Sequence, residues 1–562
     1  MLLRIVIVWL WASCSFAGAE LHIEKRYLHL PVAPSGDRQS VQLSAGGAVV
    51  RYFDIALPAS ASEALYWSST DVGAFRGKTL TVSVAPASAE RQLLALTRQS
   101  DAIREPPLVY HERRRPQFHF SPMVGWTNDP NGLVYFAGEY HLFFQHNPYS
   151  IQWGNMTWGH AVSTDLVHWK ELGDALYPDR LGTIFSGSAV VDHRNTSGLG
   201  REGSPPMLAF FTSAGVHSYK TGLPFTQSMA YSLDRGRSWT KYEHNPVIDH
   251  IEKRNRDPKV FWHAPSGQWV MALYLKRGKF VLLGSKNLKQ WRKLSEVDFP
   301  DGYECPELFE LSVDGDAGRK RWVMWEAAGR HRIGTFDGQR FRPETGVLPA
   351  EWGSNTYAAQ TYNDAPGGRR ILIAWMRSRP GPNAPAGFYA GMPFNQQMSF
   401  PRELSLRSTP DGVRLYAAPA AEIRKLYIVQ QRFTDLMLPP GDDPLRHAEG
   451  ELFDIEAEIE SRDARSVTLG IRGTPIVYSA AARTLSCLGK SVTLPPGKGR
   501  LQLRVLVDRT SIEIFVAGGR YVMSFCFLPV DANRPLSLTA QGGTAAVASL
   551  TVRHLRSIWS DR

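Results

Sequence analysis

Alternating apolar and polar positions recur along most of the chain and predict β-strands. Residues 501–507 (LQLRVLV), 511–516 (SIEIFV) and 80–84 (LTVSV) all show this period of two. The apolar runs Leu133–Phe136 and Tyr140–Phe144 flank a short Ala-Gly break, which predicts a β-hairpin. Heptads and long amphipathic helical runs are absent from the sequence. The pattern therefore predicts an all-β protein.

A phrase of polar turn residues that ends in tryptophan recurs between short apolar strands. It spans Ser163–Trp169, Ser232–Trp239 and Ser285–Trp291. A supersecondary unit repeated tens of residues apart is typical of a β-propeller, in which each blade is one copy of the unit. These three tryptophans are therefore interpreted as architectural residues.

A chain of 562 residues exceeds one ordinary hydrophobic core, so several domains are expected. Residues 20–112 are predicted to form a small N-terminal β-module, residues 113–418 a β-propeller, and residues 419–562 a linker and a C-terminal β-sandwich. The role of the N-terminal β-module is open between carbohydrate binding and structural packing on the propeller.

The first residues have the pattern of an export signal. Arg4 precedes the apolar run Ile5–Trp11, and Ala17-Gly18-Ala19 provides a small-residue cleavage site. Residues 1–19 are therefore predicted to be a signal peptide that is cleaved after Ala19, so that the mature protein is secreted or periplasmic. The run is too short to span a bilayer, so no membrane span is expected. Lipidation at Cys14 is an alternative that the preceding residues fit poorly.

The basic charge of the chain does not predict a nucleic-acid ligand. The formal net charge is +11, from 64 basic and 53 acidic residues. The dense basic run is limited to Arg113–Arg115, where a linker or a domain-packing strand is expected. The remaining charge is assigned to solubility or to adhesion to acidic surfaces.

Cysteine and motif content argue against cofactor chemistry. Removal of the signal would leave Cys305, Cys487 and Cys526. A disulfide between Cys487 and Cys526 and burial as free thiols both fit the sequence. Metal-binding Cys-x-x-Cys and His-Glu-x-x-His motifs, the P-loop and the nucleophile elbow are absent from the sequence. We therefore expect no metal and no cofactor.

Three short acidic motifs follow one another in the middle of the chain: Trp126–Gly132 (WTNDPNG), Arg256–Pro258 (RDP) and Glu304–Pro306 (ECP). Each motif alone has a simple structural explanation, because Asn-Asp-Pro-Asn-Gly is good turn chemistry and Arg-Asp is often a surface ion pair. Glu307 and Glu310 are interpreted as solvated loop carboxylates. Together, the three motifs favour one site that collects a carboxylate from each.

With these motifs the sequence resembles glycoside hydrolase family 32, the β-fructosidases that include invertases, inulinases and levanases. The resemblance implies a five-bladed propeller followed by a β-sandwich. It extends to Phe144–Pro148, Trp153–His160, Phe185–Ala189, Tyr357–Thr361, Ser399–Leu404 and Asp508–Phe515. In the last segment acidic and apolar residues alternate, as on a solvated sheet face, and no catalysis is assigned there.

The resemblance carries catalytic roles onto three residues: Asp129 as nucleophile, Glu304 as general acid/base and Asp257 as transition-state stabiliser. A retaining glycosidase holds the nucleophile and the acid/base about 5–5.5 Å apart. The chain neighbours of Glu304 supply no compensating charge, which favours the raised pKa that a general acid needs. Hydrogen bonds from backbone N–H groups or Asn128 are expected to hold the pKa of Asp129 down, and the Arg256 guanidinium is expected to keep Asp257 ionised.

The matched segments also supply candidates for sugar contacts. Sugar rings pack their C–H faces on aromatic side chains, while their hydroxyl groups need polar partners. The predicted substrate-binding residues are Asn128, Gln145, Trp153, Phe185, Ser186, Arg256 and Asn355.

The resemblance implies a secreted retaining hydrolase that cleaves terminal β-D-fructofuranosyl linkages of levan, inulin or sucrose. Residues 174–179 (DALYPD) and the extra N-terminal module favour a levanase or fructan β-fructosidase. An invertase or a fructosyltransferase of the same family is the alternative. A propeller lectin would not need a raised-pKa acid opposite a nucleophile, and a sialidase-like propeller would need an arginine cluster that is not evident in the sequence.

Overall fold

The computed structural model describes residues 18–201, 203–380, 386–496, 500–531 and 534–559. Residues 1–17 of the predicted signal peptide, including Cys14, lie outside these ranges. Strands dominate the described residues, which confirms the all-β prediction. Within the described ranges, no helix has the length and apolarity needed to cross a membrane.

The N-terminal module consists of two small antiparallel sheets, ordered β1-β6-β3-β4 and β5-β2-β7, with one short helix, α1. In β6 the alternating pattern buries Leu80, Val82 and Val84, and the core also contains Phe53 and Tyr66. The elements are β1 (Ala19–His22), β2 (Tyr27–Val32), β3 (Gln39–Ala45), β4 (Ala48–Ile55), β5 (Tyr66–Asp71), β6 (Thr79–Ala85), α1 (Glu90–Leu96) and β7 (Arg98–Ser100).

The central unit, β8 to β30, is a series of sheets whose strands pair antiparallel, apart from the parallel pairs β8–β27 and β20–β29. Its sheets have the orders β11-β10-β9-β8-β27, β12-β13-β14-β15, β16-β17-β18-β19 and β23-β22-β21-β20-β29-β26-β25, with β24, β28 and β30 paired onto the last. The predicted hairpin forms β8 and β9. The strands are β8 (Gly125–Phe136), β9 (Glu139–Asn147), β10 (Thr157–Ser163), β11 (Lys170–Leu176), β12 (Thr183–Val191), β13 (Met207–Ala214), β14 (Phe225–Ser232), β15 (Thr240–Lys241), β16 (Arg256–His263), β17 (Gln268–Lys276), β18 (Lys279–Ser285), β19 (Arg292–Asp298), β20 (Glu307–Val313), β21 (Asp316–Glu326), β22 (Arg330–Phe336), β23 (Phe341–Pro343), β24 (Leu348–Pro349), β25 (Thr356–Thr361), β26 (Ile371–Met376), β27 (Phe394–Asn395), β28 (Gln397–Met398), β29 (Arg402–Thr409) and β30 (Gly412–Pro419).

Strands that belong to different sheets of the central unit lie against one another. β12 contacts both β8 and β16, and β25 contacts β8. Between β16 and β20, Lys259 forms a buried ion pair of 2.8 Å with Glu307. Thr361 on β25 donates a hydrogen bond of 2.7 Å to the same carboxylate. Glu307 is therefore a buried structural residue, and its interpretation as a solvated carboxylate was wrong, whereas Glu310 pairs with Lys320 at the surface.

The C-terminal sandwich stacks two antiparallel sheets, ordered β31-β41-β32-β37-β38-β39 and β36-β35-β34-β33-β40. The inward residues of the alternating strands β37 and β38, such as Leu503, Val505 and Ile514, fill one continuous core. Its strands are β31 (Tyr427–Leu438), β32 (Phe453–Glu460), β33 (Ser466–Ile471), β34 (Thr474–Ser479), β35 (Thr484–Cys487), β36 (Lys490–Thr493), β37 (Arg500–Val507), β38 (Ser511–Val516), β39 (Tyr521–Cys526), β40 (Leu536–Gln541) and β41 (Ala545–Leu555).

The repeated tryptophans and the cysteines occupy packed positions. Trp169, Trp239 and Trp291 each pack in or against a hydrophobic core of the central unit. Cys487 and Cys526 are both buried free thiols, so the disulfide alternative is not realised in the structure.

Buried acids join the C-terminal sandwich to the central unit. Asp508 accepts hydrogen bonds from the backbone N–H groups of Gln117 and Phe118, and its Oδ2 lies 2.8 Å from Nδ1 of His119. The other ring nitrogen, Nε2, lies 2.7 Å from Glu513. All three side chains are fully buried. The interpretation of Asp508 and Glu513 as part of a solvated sheet face was therefore wrong.

This interface gives a pH-dependent stability. Burial alone lowers the pKa of His119, but the hydrogen bonds to Asp508 and Glu513 raise it to about 9. The unfolded chain has a histidine pKa near 6.5. A raised pKa means that the stabilisation is complete below about pH 6.5 and is lost as the pH rises through about 9.

We expect the free energy of unfolding of the wild type to fall by about 3 kcal/mol more than that of the His119→Gln variant between these two pH values. At pH 6.5 the variant should itself be less stable by roughly 3–5 kcal/mol, because the buried carboxylate of Asp508 loses its cation and that of Glu513 keeps only Arg402. Urea titrations at several pH values measure both differences. Parallel pH profiles for the two proteins would contradict the assignment.

Candidate active site

A cavity of about 840 Å³ in the central unit collects the three predicted catalytic carboxylates, those of Asp129, Asp257 and Glu304. It is lined by side chains from several sheets, as expected for chemistry assembled from distant parts of the chain. The predicted binding residues that line it are Asn128, Gln145, Trp153, Phe185, Ser186 and Arg256.

Backbone irregularities aim these side chains into the cavity. The register shifts between Thr127 and Pro130 in β8, between Ile184 and Gly187 in β12, and between Arg256 and Lys259 in β16. These shifts enclose Asp129, Ser186 and Asp257. A bulge takes a residue out of the regular ladder and redirects its side chain, and bulges are common beside active sites.

Two residues of the site also have a left-handed backbone. Asp257 has φ 64° and Cys305, next to Glu304, has φ 51°. Such conformations cost roughly 1–3 kcal/mol each in residues other than glycine, and they persist where the surrounding structure holds them. The backbone of these two residues therefore costs some stability, and it sets the positions of the side chains in the site.

Asp129 is held by two side-chain donors. Ser186 Oγ donates to Oδ2 at 2.5 Å, and Asn128 Nδ2 donates to Oδ1 at 3.0 Å. Burial raises the pKa of Asp129, the two hydrogen bonds oppose this rise, and the negative charge of Glu304 adds to it. The predicted hydrogen bond from Asn128 is present, but the net direction is upward, opposite to the expectation.

Glu304 has charged and polar partners that its chain neighbours did not reveal. Arg256 donates from Nε to Oε2 at 2.9 Å, and its Nη2 contacts the same oxygen. The Tyr357 hydroxyl donates to Oε1 at 2.6 Å. The chain neighbours supply no charge, as expected, but the Arg256 guanidinium from another segment does compensate this carboxylate.

Asp257 is buried beside the same guanidinium. Burial raises its pKa, and Arg256 offsets this only in part, while Glu304 and Asp129 raise it further. The guanidinium Nε lies 3.5 Å from Asp257 but 2.9 Å from Glu304. The expectation that Arg256 simply keeps Asp257 ionised is therefore corrected, because the guanidinium is shared with a second carboxylate.

Cys305 links two of the acids. Its Sγ lies 3.6 Å from Oδ2 of Asp129 and 3.6 Å from Oδ2 of Asp257, and its backbone N–H donates to Asp257 at 3.2 Å. Burial, followed by the charges of these carboxylates, raises the pKa of the thiol well above its usual value. A thiol with a raised pKa is a poor nucleophile, so its role here is to donate weak hydrogen bonds.

Aromatic side chains form one wall of the cavity, which we call the aromatic wall and define as Trp153, Phe185 and His217. The His217 ring lies 5.5 Å from both Trp153 and Phe185, and Trp153 is 45% exposed. An exposed indole can accept the C–H face of a sugar.

Asn355 is the predicted binding residue that does not line the cavity. Its side-chain amide donates to the backbone carbonyl of Arg377 at 2.7 Å, and its oxygen accepts from the Cys526 N–H at 3.0 Å. Both the nitrogen and the oxygen of the amide are therefore occupied by hydrogen bonds to the backbone. Asn355 therefore supports Arg377, which does line the cavity.

Several lining residues were not predicted. Tyr357 and Arg377 touch or face the acids, and Tyr274 and Tyr303 pack against the Arg256 guanidinium with ring centroids 4.7 and 5.6 Å away. Tyr357 belongs to the matched segment 357–361, which was the available signal. Among the described residues, no group of three or more His, Cys, Asp and Glu side chains is arranged to hold a metal ion.

The chain matches two family models over most of its length. Residues 119–419 match the glycosyl hydrolases family 32 N-terminal domain, and residues 423–554 match the glycosyl hydrolases family 32 C-terminal domain. Strands β1 to β7 lie outside both matched ranges.

Individual relatives are similar over the same part of the chain. The chain is 38% identical to a levanase of Bacillus subtilis strain 168, over 80% of this chain and 72% of the relative. It is 34% identical to a levanase of Bacillus sp. strain L7, over 80% of this chain and 53% of the relative. An exo-inulinase structure from Aspergillus awamori superimposes with a TM-score of 0.70 at 29% identity, covering 80% of this chain and 100% of the other.

The hydrogen bond from Ser186 makes a prediction about pH dependence. In its predicted role as nucleophile Asp129 must be ionised, and Ser186 opposes the rise in its pKa, so activity should be lost as the pH falls through that pKa. Ser186→Ala should move the acidic limb of the kcat/KM profile to higher pH. Ser188→Ala is the matched control, because its hydroxyl bonds the Pro258 carbonyl and no carboxylate. An acidic limb that stays in place for Ser186→Ala would contradict the geometry.

Proposed function

The chain belongs to glycosyl hydrolase family 32 and is a glycosidase that acts on fructans, and from this premise we propose that it releases terminal β-D-fructofuranosyl units by double displacement in the cavity of Asp129, Asp257 and Glu304. One observation supports the proposal above the others. Three carboxylates from distant segments share one cavity, and each has different hydrogen-bond partners.

In the first step, Asp129 attacks the anomeric carbon of the bound fructosyl unit while Glu304 gives a proton to the departing glycosidic oxygen. The bond between carbon and that oxygen breaks, and a fructosyl ester of Asp129 forms. Asp129 suits this role because its oxygens are held by Ser186 and Asn128 rather than by a fixed cation. Arg256 stabilises the carboxylate that Glu304 becomes after it loses the proton.

In the second step, Glu304 takes a proton from water, and the resulting hydroxide attacks the same carbon. The ester bond breaks, Asp129 is released as a carboxylate, and Glu304 is again protonated. Asp257 accepts hydrogen bonds from sugar hydroxyl groups as positive charge develops on the ring. Two inversions at one carbon give net retention of configuration.

The domain boundaries and the number of propeller blades are also proposed. We propose that the central unit is a five-bladed propeller within residues 113–418, that residues 20–112 form a separate module, and that residues 419–562 carry the linker and sandwich. The mutual contacts of β8, β12, β16, β20 and β25 support closure into a ring. The matched ranges support the later boundary.

The substrate is proposed to be levan or inulin, with sucrose as the nearest alternative. This proposal is supported by two of the relatives described above, which are both named levanases. A fructosyltransferase would use the same carboxylates and would differ only in the acceptor that enters after the first step. Export with cleavage after Ala19 is part of the proposal, and its support is the sequence pattern of residues 4–19.

Substitution of the two reacting carboxylates tests the roles. Asp129→Asn should remove nearly all turnover, and Glu304→Gln should lower kcat by at least about 100-fold. Glu310→Gln, at a carboxylate that pairs with Lys320 on the surface, is the matched control and should keep full activity. An active Asp129→Asn enzyme would refute the assigned roles.

Chemical rescue separates the acid from a merely structural role. Glu304→Ala should recover much of its first step on a fructosyl donor with a good leaving group, because such a group leaves without a proton. Pre-steady-state release of the leaving group measures this recovery. Equal losses on good and poor leaving groups would show that Glu304 does not supply the proton.

Product analysis on levan, inulin and sucrose in parallel tests the substrate proposal. Free fructose from levan or inulin as the first and main product is the expected outcome for terminal cleavage. A series of oligosaccharides from the start of the reaction would show internal cleavage. Turnover of sucrose without turnover of either polymer would make the enzyme an invertase and contradict the fructan proposal.

A further inference from the structure

The N-terminal module contacts the loop that carries Trp153 through ring stacking and hydrogen bonds. This loop, residues 148–156, connects β9 to β10. The Tyr149 ring stacks on Phe53 of β4 with centroids 3.9 Å apart, and its hydroxyl lies 3.0 Å from Thr70 Oγ1 of β5. Tyr149 belongs to the hydrophobic core of the module, and Ile151 packs against that core. The loop is therefore anchored in the module rather than in the central unit alone.

Polar contacts fix the loop on both sides of Trp153. Before it, Gln152 accepts a hydrogen bond of 2.9 Å from Arg38. After it, Asn155 accepts from the backbone N–H of Asp54 at 2.8 Å and donates to the carbonyl of Asp54 at 2.8 Å. This reciprocal pair copies the hydrogen bonding of a neighbouring strand along the edge of β4. Trp153 is thus held between two attachments to the module.

A second contact reaches another member of the aromatic wall. The Tyr52 hydroxyl, also on β4, donates to the backbone carbonyl of His217 at 3.2 Å. The Tyr52 ring packs against Tyr219 with centroids 5.1 Å apart. One strand of the module therefore braces both chain segments, 148–156 and 217–219, that present Trp153 and His217 to the cavity.

The reacting carboxylates are held by different contacts. Asp129 is fixed by Ser186 and Asn128, and Glu304 by Arg256 and Tyr357, all within the central unit. Weakening the brace should therefore disturb sugar packing and leave the chemical groups in place.

We propose that the N-terminal module is a positioning element for substrate binding: through Asn155 and Tyr52 it holds the aromatic wall in the conformation that packs on the sugar. The inference rests on the proposed function for the identity of the ligand, a fructan. Loops with few buried contacts open at low free energy, and loose placement of a contact weakens binding. Asn155 and Tyr52 are positioning residues in this scheme.

Two full-length variants test the brace. Asn155→Gly removes the side-chain amide and tolerates the φ of 46° at this position. Tyr52→Phe removes the hydroxyl and keeps the ring. The matched control is Ser60→Ala, which removes a hydrogen bond of 2.7 Å to Glu63 inside the module.

The first measurement is hydrogen–deuterium exchange of the free enzyme. Exchange of residues 148–156 should rise in Asn155→Gly, and exchange around residues 217–219 should rise in Tyr52→Phe, while Ser60→Ala leaves both unchanged. Unchanged exchange in both test variants would overturn the brace. This readout needs no sugar, so its failure is distinct from failure of the proposed function.

The second measurement is the kinetics on levan and inulin. Tyr52→Phe should raise KM by about 2- to 10-fold, the effect of one hydrogen bond, and Asn155→Gly, which loses the two to Asp54, should raise it by at least as much. In both variants kcat should stay within about twofold of the wild type. The Ser60→Ala control should match the wild type in both. An increase in exchange with unchanged KM, or a fall in kcat without a change in KM, would overturn the role of the module in substrate binding.

Discussion

The structure depends on holding mutually repelling carboxylates together in one cavity. Asp129, Asp257 and Glu304 raise one another's energy when ionised, and burial of two of them adds to that cost. The Arg256 guanidinium, shared by Asp257 and Glu304, and the Ser186 hydroxyl on Asp129 offset part of it. The net result is a raised pKa for Asp129 and for Asp257, caused first by their burial.

The surrounding architecture supplies the rigidity that such a site needs. Lys259 and Glu307 form a buried pair that ties β16 to β20, and Thr361 joins β25 to the same carboxylate. At the junction of domains, His119 lies between two buried acids of the C-terminal sandwich. The N-terminal module packs against and hydrogen-bonds to the loop that carries Trp153. Each of these contacts therefore joins parts of the chain that are distant in sequence.

Local patterns were sufficient to predict the strands, and the family resemblance singled out the three acidic motifs. Period-two alternation identified β37 and β38, and the motif carboxylates all reached the cavity. What could not be predicted were the individual hydrogen-bond and ion-pair partners that distant segments contribute. The environment of Glu304 comes from Arg256, the burial of Glu307 comes from Lys259, and Asn355 is turned away by its bonds to other strands. Neither bulges nor ion-pair partners leave a signature in short-range sequence.

In the proposed mechanism, Asp129 becomes covalently bonded to the fructosyl unit opposite Glu304. The most direct measurement is to slow the second step with Glu304→Gln, react the variant with an activated fructosyl donor, quench in acid and map the adduct by peptide mass spectrometry. We expect one fructosyl ester, on Asp129. An adduct on another residue, or inverted configuration of the first-formed fructose from the wild type by NMR, would contradict it.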